Sequence, residues 1–232
     1  MGTIDQLEGA PAAGVPGESL DANLRSSLLQ RIRFGIVSGK TQPGEILSVP
    51  SLAKVWGVST TPVREALLEL SNAGLLEPLR NRGFRVCVPS ANDLKDLFAI
   101  RVQLEVFAIT LVKKVPQADK DTLIELAEQI GNAVETGNTM AYLVSDRLFH
   151  QRLADLAGNP RLTDMILDLR DHMRLYGIES AAGLERQAAS VPEHFQLVEL
   201  VSAGKLEAAT RLMKHHIVDW EPVFLAAIAD AG

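Results

Sequence analysis

The pattern of hydrophobic and polar positions divides the 232-residue chain into three parts. Residues 1–20 mix Gly, Ala, Pro and acidic residues without an apolar period, which is typical of a mobile tail. Residues 21–89 open with apolar residues at every fourth position and close with an alternating pattern. Residues 90–232 carry helical patterns alone. We therefore expect a mainly α protein in which a small amino-terminal domain precedes an all-helical domain.

The amino-terminal domain has the element order of a winged helix-turn-helix. A helix over residues 21–38 and a short second helix come first. A third helix is expected to begin near Thr61, where Ser59 or Thr60 can cap it. The period then falls to two in "LLEPLRNRGFRVCVP", which predicts two strands joined by a turn. Three helices followed by a hairpin define the winged helix-turn-helix.

The carboxy-terminal domain is predicted to be an antiparallel bundle of long helices. Gly and Pro residues separate the helical patterns from one another. The predicted helices lie near residues 92–114, 118–136, 139–157, 160–180, 191–203 and 205–228.

Composition narrows the class of protein. A hydrophobic share of 47% is ample for packed cores. No apolar run approaches the roughly 18 residues of a membrane helix, and the amino terminus lacks the pattern of an export signal. We therefore expect a cytoplasmic protein that does not contact a membrane. The single cysteine, Cys87, excludes an internal disulfide and a thiolate-rich zinc site.

The net charge of −6 hides an opposition between the two domains. Residues 21–90 contain nine Lys and Arg against five acidic residues, which gives +4. Residues 1–20 contribute −3, so the remainder of the chain carries −7. A basic amino-terminal domain favours contact with phosphate groups, although an ordinary solvated surface can also carry such charges.

Three stretches of the sequence carry a resemblance to a known family. They read "QPGEILSVPSLAKVWGVSTTPVREALLELSNAGLLE" followed by "RGFRV", then "DRLFHQRLADLAGNPRL", then "EHFQLVELVSAGKLEAATRLMKHHI". Together they resemble the GntR family of bacterial transcription regulators, in its FadR-like branch with an FCD-type helical effector domain. The resemblance implies a homodimer that binds operator DNA and responds to a small metabolite, usually a carboxylic acid, in the helical domain.

The third helix of the amino-terminal domain is the expected DNA-reading element. Its first turn can enter the major groove, and its amino-terminal amides can bind a phosphate. Arg64 is the best candidate for direct contact with a base, because arginine can grip guanine through two hydrogen bonds. The alternative for Arg64 is pairing with neighbours on an exposed helix. The other candidate contacts are Ser59, Thr60 and Thr61 on phosphate, and Arg82 and Gly83 at the wing tip near the minor groove.

Four polar residues fall on inward faces of the helical domain. Asp146 and His150 lie four residues apart on an apolar face of one helix. His194 and His216 lie in the apolar phases of two helices joined by a turn, each roughly 13 to 17 Å from that turn. A lone inward histidine is more often a core residue, but three imidazoles and one carboxylate at one height favour a divalent metal ion. We expect Zn²⁺, with Ni²⁺ or Mn²⁺ as alternatives, and members of the resembled family carry the same set.

Charged residues near this cluster are candidates for binding the effector. Arg101 occupies an expected core position, where it can bind an effector carboxylate or pair with Glu105 one turn later. His172 has an ambiguous phase and is a second candidate for the cavity lining. Arg170 and Arg174 are weaker candidates, which we expect to be solvated.

The leading hypothesis is a dimeric, DNA-binding transcription regulator, acting as a repressor and not as an enzyme. The metal ion can assist effector binding, tie the helices together, or itself be the signal. The competing class is a metal-dependent hydrolase, since an Asp and His site with open positions can activate water. A third possibility is a protein-binding adaptor that uses its winged helix without DNA.

Overall fold

The computed structural model describes residues 20–37, 41–87, 90–173 and 177–230. The tail predicted over residues 1–20 lies, except for its last residue, outside the described residues. The chain forms two compact units, Met1–Val88 and Pro89–Gly232.

The amino-terminal unit is a winged helix-turn-helix, as the sequence predicts. Its elements are α1 (Leu20–Val37), β1 (Ile46–Leu47), α2 (Val49–Trp56), α3 (Thr60–Asn72), β2 (Leu76–Leu79) and β3 (Gly83–Val86). The three strands form an antiparallel sheet in the order β1-β3-β2. The strand β1 was not predicted, because a two-residue strand is too short to show an alternating pattern.

The position of α3 is fixed by its apolar face and by the turn before it. Val63, Ala66, Leu67 and Leu70 are fully buried, and their spacing of three and four residues places them on one side of the helix. This side packs on α1. Gly57 ends α2 in the left-handed conformation, with φ at +64°. The opposite side of α3 therefore faces solvent.

The wing depends on a glycine at the start of β3. Gly83 has φ at +113°, a conformation that other residues rarely adopt. A Cβ atom at this position would lie 2.2 Å from the carbonyl oxygen of Leu47 in β1. The close approach of β1 to β3 therefore requires glycine here.

The carboxy-terminal unit is all helical, which confirms the predicted fold class. The helices are α4 (Ala91–Thr110), α5 (Gln117–Glu135), α6 (Thr139–Asp155), α7 (Pro160–Met173), α8 (Ala181–Ser202), α9 (Leu206–Val218) and α10 (Glu221–Asp230). The helix α4 packs against α7 and α9, α5 packs against α6 and α8, and α8 packs against α9. None of the described helices is both long enough and apolar enough to cross a membrane.

Two of the predicted helix boundaries were wrong. The helix predicted over 160–180 ends at Met173 within the described residues, and α8 begins at Ala181, ten residues before the predicted start. Ser180 caps α8 by accepting a hydrogen bond from the backbone N–H of Gly183. Pro192 lies inside α8, where the sequence pattern placed it in a first turn.

The last predicted helix, over 205–228, is divided in the structure. The helix α9 ends at Val218, and α10 begins at Glu221. Pro222 then occupies the first turn of α10, where its missing N–H costs no helical hydrogen bond. The break brings Trp220, which lies between the two helices, into the core with 5% of its surface exposed.

Candidate functional site

The structure brings together all four predicted metal ligands. Asp146 and His150 come from α6, His194 from α8 and His216 from α9. All four side chains are buried, and one ligand atom from each lies within 4.8 Å of the others. The rings of His194 and His216 have centroids 4.8 Å apart, so the two histidines lie at the same height in the bundle.

The outer nitrogen of each imidazole ring is held by a hydrogen-bond acceptor. The Nδ1 atom of His194 lies 2.8 Å from the backbone oxygen of Ser190, which can only accept, so Nδ1 carries the hydrogen. The Nδ1 atom of His150 lies 3.0 Å from Glu105 Oε2. The Nδ1 atom of His216 lies 2.6 Å from Glu193 Oε2.

Both of these glutamates are ionised. Burial opposes ionisation of Glu193, but hydrogen bonds from His216 and Arg186 outweigh it and lower the pKa of Glu193 to about 2. For Glu105, burial is likewise outweighed, here by the Arg101 and Arg170 guanidinium groups, and its pKa lies well below the usual range. Ionised carboxylates accept the Nδ1 hydrogens, so the Nε2 atoms of their histidine partners present lone pairs to the centre of the cluster.

Two of the histidines, His150 and His216, are neutral near pH 7. Burial lowers the pKa of His216 to about 4, with His194 adding to the effect. Burial, together with the charge of Arg170, holds the pKa of His150 well below its usual range. These two rings therefore lack a second hydrogen on Nε2.

The arrangement of acceptors is one that a cation would stabilise. The Nε2 atoms of His150 and His216 face each other at 3.2 Å, and both present lone pairs. The Nε2 atom of His194 likewise lies 3.2 Å from Asp146 Oδ1. Facing acceptors repel one another unless a positive charge lies between them. Two nitrogens each about 2.0 to 2.1 Å from a tetrahedral metal ion would be roughly 3.3 Å apart, so the donor set fits Zn²⁺.

A second group of buried charges orients this cluster. Arg170 donates to Asp146 Oδ2 at 2.7 Å, which leaves Oδ1 turned toward the histidines. Arg170 also donates to both oxygens of Glu105, at 3.0 and 3.2 Å. The Nε atom of Arg101 donates to Glu105 Oε1 at 2.5 Å. Glu105 therefore joins two arginines to His150.

The expectation that Arg170 is solvated was wrong. Its residue surface is 3% exposed, because it continues the buried stripe of α7 that includes Thr163, Ile166 and Leu167. Of the two alternatives for Arg101, the structure shows the pairing with Glu105. Contact between Arg101 and an effector stays a prediction.

A cavity adjoins the cluster on the side of Asp146. Arg101 and Arg170 line it together with Asp146. The cavity has a volume of about 20 Å³, which is enough for a water molecule, and it opens to solvent through a mouth. The cavity therefore places two guanidinium groups and a candidate metal ligand around one space. The side chain of His172, the other proposed lining residue, lies outside the described residues, as does Arg174.

Sequence reasoning missed the residues that support His216 from outside. Arg186 donates to Glu193 at 2.6 Å and to the backbone oxygen of His216 at 3.0 Å. Arg186 precedes the predicted helix over 191–203, so the pattern does not predict that it faces the interior. Glu193 directly precedes a candidate ligand, and only the packing of α8 on α9 shows that it reaches His216.

The candidate DNA-reading residues lie on the solvent side of the winged helix. Arg64, Thr60 and Thr61 are exposed in the first turns of α3. Ser59 is the N-cap residue of α3, but its side chain makes no capping hydrogen bond, which leaves first-turn amides available to a phosphate. The structure shows no hydrogen bond or ion pair of the Arg64 side chain among the described residues.

The wing contributes two exposed cations at its tip. Arg80 and Arg82 are exposed in the turn between β2 and β3, whereas Gly83 is half-buried and packs on β1.

Ion pairs partly neutralise other cations of this unit. Arg25 forms an ion pair with Glu69, and Arg85 lies 3.6 Å from Glu77. The exposed cations Arg64, Arg80 and Arg82 therefore carry more of the positive charge that the unit can offer to DNA.

Comparisons with known proteins match both parts of the chain. The family model "Bacterial regulatory proteins, gntR family" matches residues 24–86, and the FCD domain model matches residues 96–219. The uncharacterized HTH-type transcriptional regulator YdhC of Bacillus subtilis is 30% identical over 187 residues, which span 79% of this chain and 81% of the relative.

A further relative and a solved structure agree. A probable D-xylose utilization operon transcriptional repressor of Paenarthrobacter nicotinovorans is 28% identical over 208 residues, covering 85% of this chain and 89% of its own length. The structure of McbR/YncC from E. coli is similar with a TM-score of 0.77 at 25% identity, covering 90% of this chain and 98% of its own. These relatives are transcriptional regulators, which confirms the prediction that the chain is not an enzyme. The chain belongs to the GntR family of bacterial regulatory proteins and carries an FCD domain.

Proposed function

We propose that this transcriptional regulator binds double-stranded operator DNA as a homodimer and represses transcription from it. We further propose that a small carboxylate, bound at or near a divalent metal ion in the helical unit, changes its affinity for the operator. The place of action is the cytoplasm, where the operator is found. The relative named as a repressor supports the sign of the effect on transcription.

One observation carries the metal part of the proposal. Neutral His150 and His216 present facing Nε2 lone pairs at 3.2 Å, in a buried cluster that also contains Asp146 and His194. Three imidazoles and one carboxylate form a set that Zn²⁺ favours, and Ni²⁺ or Mn²⁺ can also use it. When bound, the ion would supply a Lewis-acidic centre to which an anionic ligand could add as a fifth donor.

The effector part is supported by the cavity beside the cluster. Arg101 and Arg170 line that cavity, and arginine binds carboxylates through paired hydrogen bonds. Asp146 lines it as well, so an acid in this space would lie beside the metal ion and both arginines. A ligand changes the affinity for DNA only if it binds one conformation of the dimer better than another.

The DNA part is supported by the free first turn of α3. We assign major-groove contact to Arg64, phosphate contact to Ser59, Thr60 and Thr61, and minor-groove contact to the wing tip around Arg82 and Gly83.

A second candidate function is metal sensing, in which the ion itself is the signal. The same buried cluster favours it, because binding would tie α6, α8 and α9 together. The two candidates differ in whether the metal ion alone changes operator binding.

A DNA-shift assay separates these functions. The probe is the promoter of the chain's own gene, and the protein is compared in metal-depleted and Zn²⁺-loaded forms, each with and without a panel of small carboxylates. We expect the loaded protein to respond to an acid and the depleted protein to respond weakly or not at all. A full response by the depleted protein would show that the metal role is wrong. A response to Zn²⁺ alone would identify the metal ion as the signal.

A further inference from the structure

The cavity beside Asp146 has two chemically different ends. Its polar end is formed by Arg101, Asp146 and Arg170. Its other wall is formed by Ile178, before α8, and by Trp220 and Phe224, on either side of the start of α10. The ring centroids of Trp220 and Phe224 lie 5.3 Å apart and their planes differ by 18°, so this wall is built from stacked aromatic rings.

The polar end has an unused hydrogen-bond donor. The Nε atom of Arg170 is buried and has no hydrogen-bond partner among the described residues, although both of its terminal nitrogens are paired. A buried donor of this kind is costly unless a water molecule or a ligand accepts from it. The carboxylate of a ligand would satisfy it once the cavity opened toward this nitrogen.

The charges of the polar end favour one carboxylate. Arg101 and Arg170 are balanced by Glu105 and Asp146, to which they are bonded. A divalent ion at the cluster would add uncompensated positive charge next to Asp146. The far wall offers no cation among the described lining residues, so a second carboxylate placed there would lose its water without gaining a partner.

The far wall also disfavours a tail rich in hydroxyl groups. Tyr142 is the neutral polar residue among the described lining residues, and its hydroxyl lies 3.5 Å from Ser190 Oγ. Hydroxyl groups against Ile178, Phe224 and the ring face of Trp220 would be left without hydrogen bonds. A flat apolar group can instead stack on the aromatic rings.

We propose that the effector is a monocarboxylic acid with a flat, apolar tail, bound with its carboxylate at Arg170 and its tail against Trp220 and Phe224. This proposal rests on the proposed function and names the class of acid. The cavity volume of about 20 Å³ is too small for an aromatic ring. The apolar wall must therefore move outward to admit one. Since Trp220 and Phe224 flank the start of α10, binding would displace that helix.

Binding of matched acids to the Zn²⁺-loaded full chain tests the proposal. Isothermal titration with benzoate, acetate, succinate and gluconate compares one flat apolar tail with no tail, a second carboxylate and a hydroxylated tail. We expect benzoate to bind at least 10-fold more tightly than acetate, and succinate and gluconate to bind no more tightly than acetate. Equal affinity for benzoate and acetate, or tightest binding of succinate or gluconate, would overturn the inferred class while leaving carboxylate control intact. Absence of binding by all four acids would overturn both.

A pair of variants locates the tail. Phe224→Leu keeps an apolar residue in the core but removes the ring, so benzoate affinity should fall at least 5-fold while acetate affinity stays within 2-fold of wild type. Phe107→Leu is the control, because Phe107 lies on α4 with half of its surface exposed and does not line the cavity. Equal benzoate affinity in the Phe224→Leu variant and the wild type would contradict the assigned position of the tail.

Discussion

At the scale of single residues, the state of the cluster is set by the groups that hold its histidines from outside. Glu193 illustrates this, because its ionised carboxylate accepts from His216 Nδ1 and is itself held by Arg186. Such a partner fixes the ring orientation and raises the basicity of the inward nitrogen. We therefore expect the supporting residues to influence the affinity for a metal ion without touching it.

Glu193→Gln should weaken Zn²⁺ binding by about 10- to 100-fold, because the neutral amide is a weaker acceptor for the His216 hydrogen. The measurement is a competition titration with a chelator of known affinity. Glu199→Gln is the control, since Glu199 is exposed on the same helix, and it should bind Zn²⁺ as the wild type does. Equal affinities of the wild type and Glu193→Gln would remove Glu193 from the site.

Arg64→Ala should weaken binding to the promoter fragment by about 1 to 3 kcal/mol, which corresponds to roughly 5- to 150-fold in Kd. The reason is the loss of the paired hydrogen bonds that we assign between its guanidinium and guanine. Arg161→Ala removes an exposed cation from α7 in the other unit and should leave affinity unchanged. An unchanged Kd for Arg64→Ala in a DNA-shift titration would show that α3 does not read the operator through this residue.

The sequence predicts part of this site and not the rest, for identifiable reasons. Asp146 and His150 follow from a spacing of four, and His194 and His216 from their distance to a common turn. Arg170 has the same kind of inward phase, yet the sequence favours solvent for it, because arginine is mostly exposed in folded proteins. The contact between Glu193 and His216 joins two helices, and its existence depends on how the helices are rotated about their axes.

At the scale of elements, the turn before α8 determines where the cluster's second helix starts. Gly183 lies in the first turn of α8, and a Cβ atom there would lie 2.1 Å from the backbone oxygen of Gly177 and 2.5 Å from that of Ile178. Periodicity alone placed the helix start ten residues later, since the compact turn is made by backbone contacts that leave no apolar pattern. In contrast, the wing and α3 were predictable from local turn and capping residues.

Gly183→Ala should therefore lower the midpoint of thermal unfolding, because the added methyl group collides with backbone that cannot move independently. Gly131→Ala is the matched control, since its Cβ would lie 3.4 Å from a Val191 methyl group and alanine favours the helix by about 1 kcal/mol. We expect the control to unfold at or above the wild-type temperature. Equal midpoints for the two variants, measured by calorimetry, would contradict the tight turn.

At the scale of the whole molecule, the chain joins a basic winged helix to an acidic helical unit that encloses the cluster. The metal ion would link α6, α8 and α9, the helices that supply the ligands. Since α10 contributes Phe224 to the apolar wall of the adjoining cavity, a ligand there can act on the same part of the bundle as the ion. The sequence predicts both units and an arginine near the cluster, but it does not reveal that Arg170 lines a common space with Arg101 and Asp146.

Removal of the metal ion should lower the stability of the folded chain. A ligand present at 100 times its Kd contributes about 2.7 kcal/mol, which for a protein of this size is about 5 to 10 °C in Tm. We expect a strong chelator to produce a fall of this order in the Zn²⁺-loaded wild type, measured by differential scanning calorimetry. In the His194→Gln variant, the chelator should lower the Tm little or not at all. A fall in Tm equal to that of the wild type would show that the stabilising metal ion lies elsewhere.

We propose that one divalent ion lies among Asp146, His150, His194 and His216. Anomalous diffraction at the zinc edge, from crystals of the Zn²⁺-loaded protein, would locate this ion. We expect one peak per chain, about 2.0 to 2.1 Å from the three Nε2 atoms and from Asp146 Oδ1. A zinc-loaded crystal with no peak among these four side chains would contradict it.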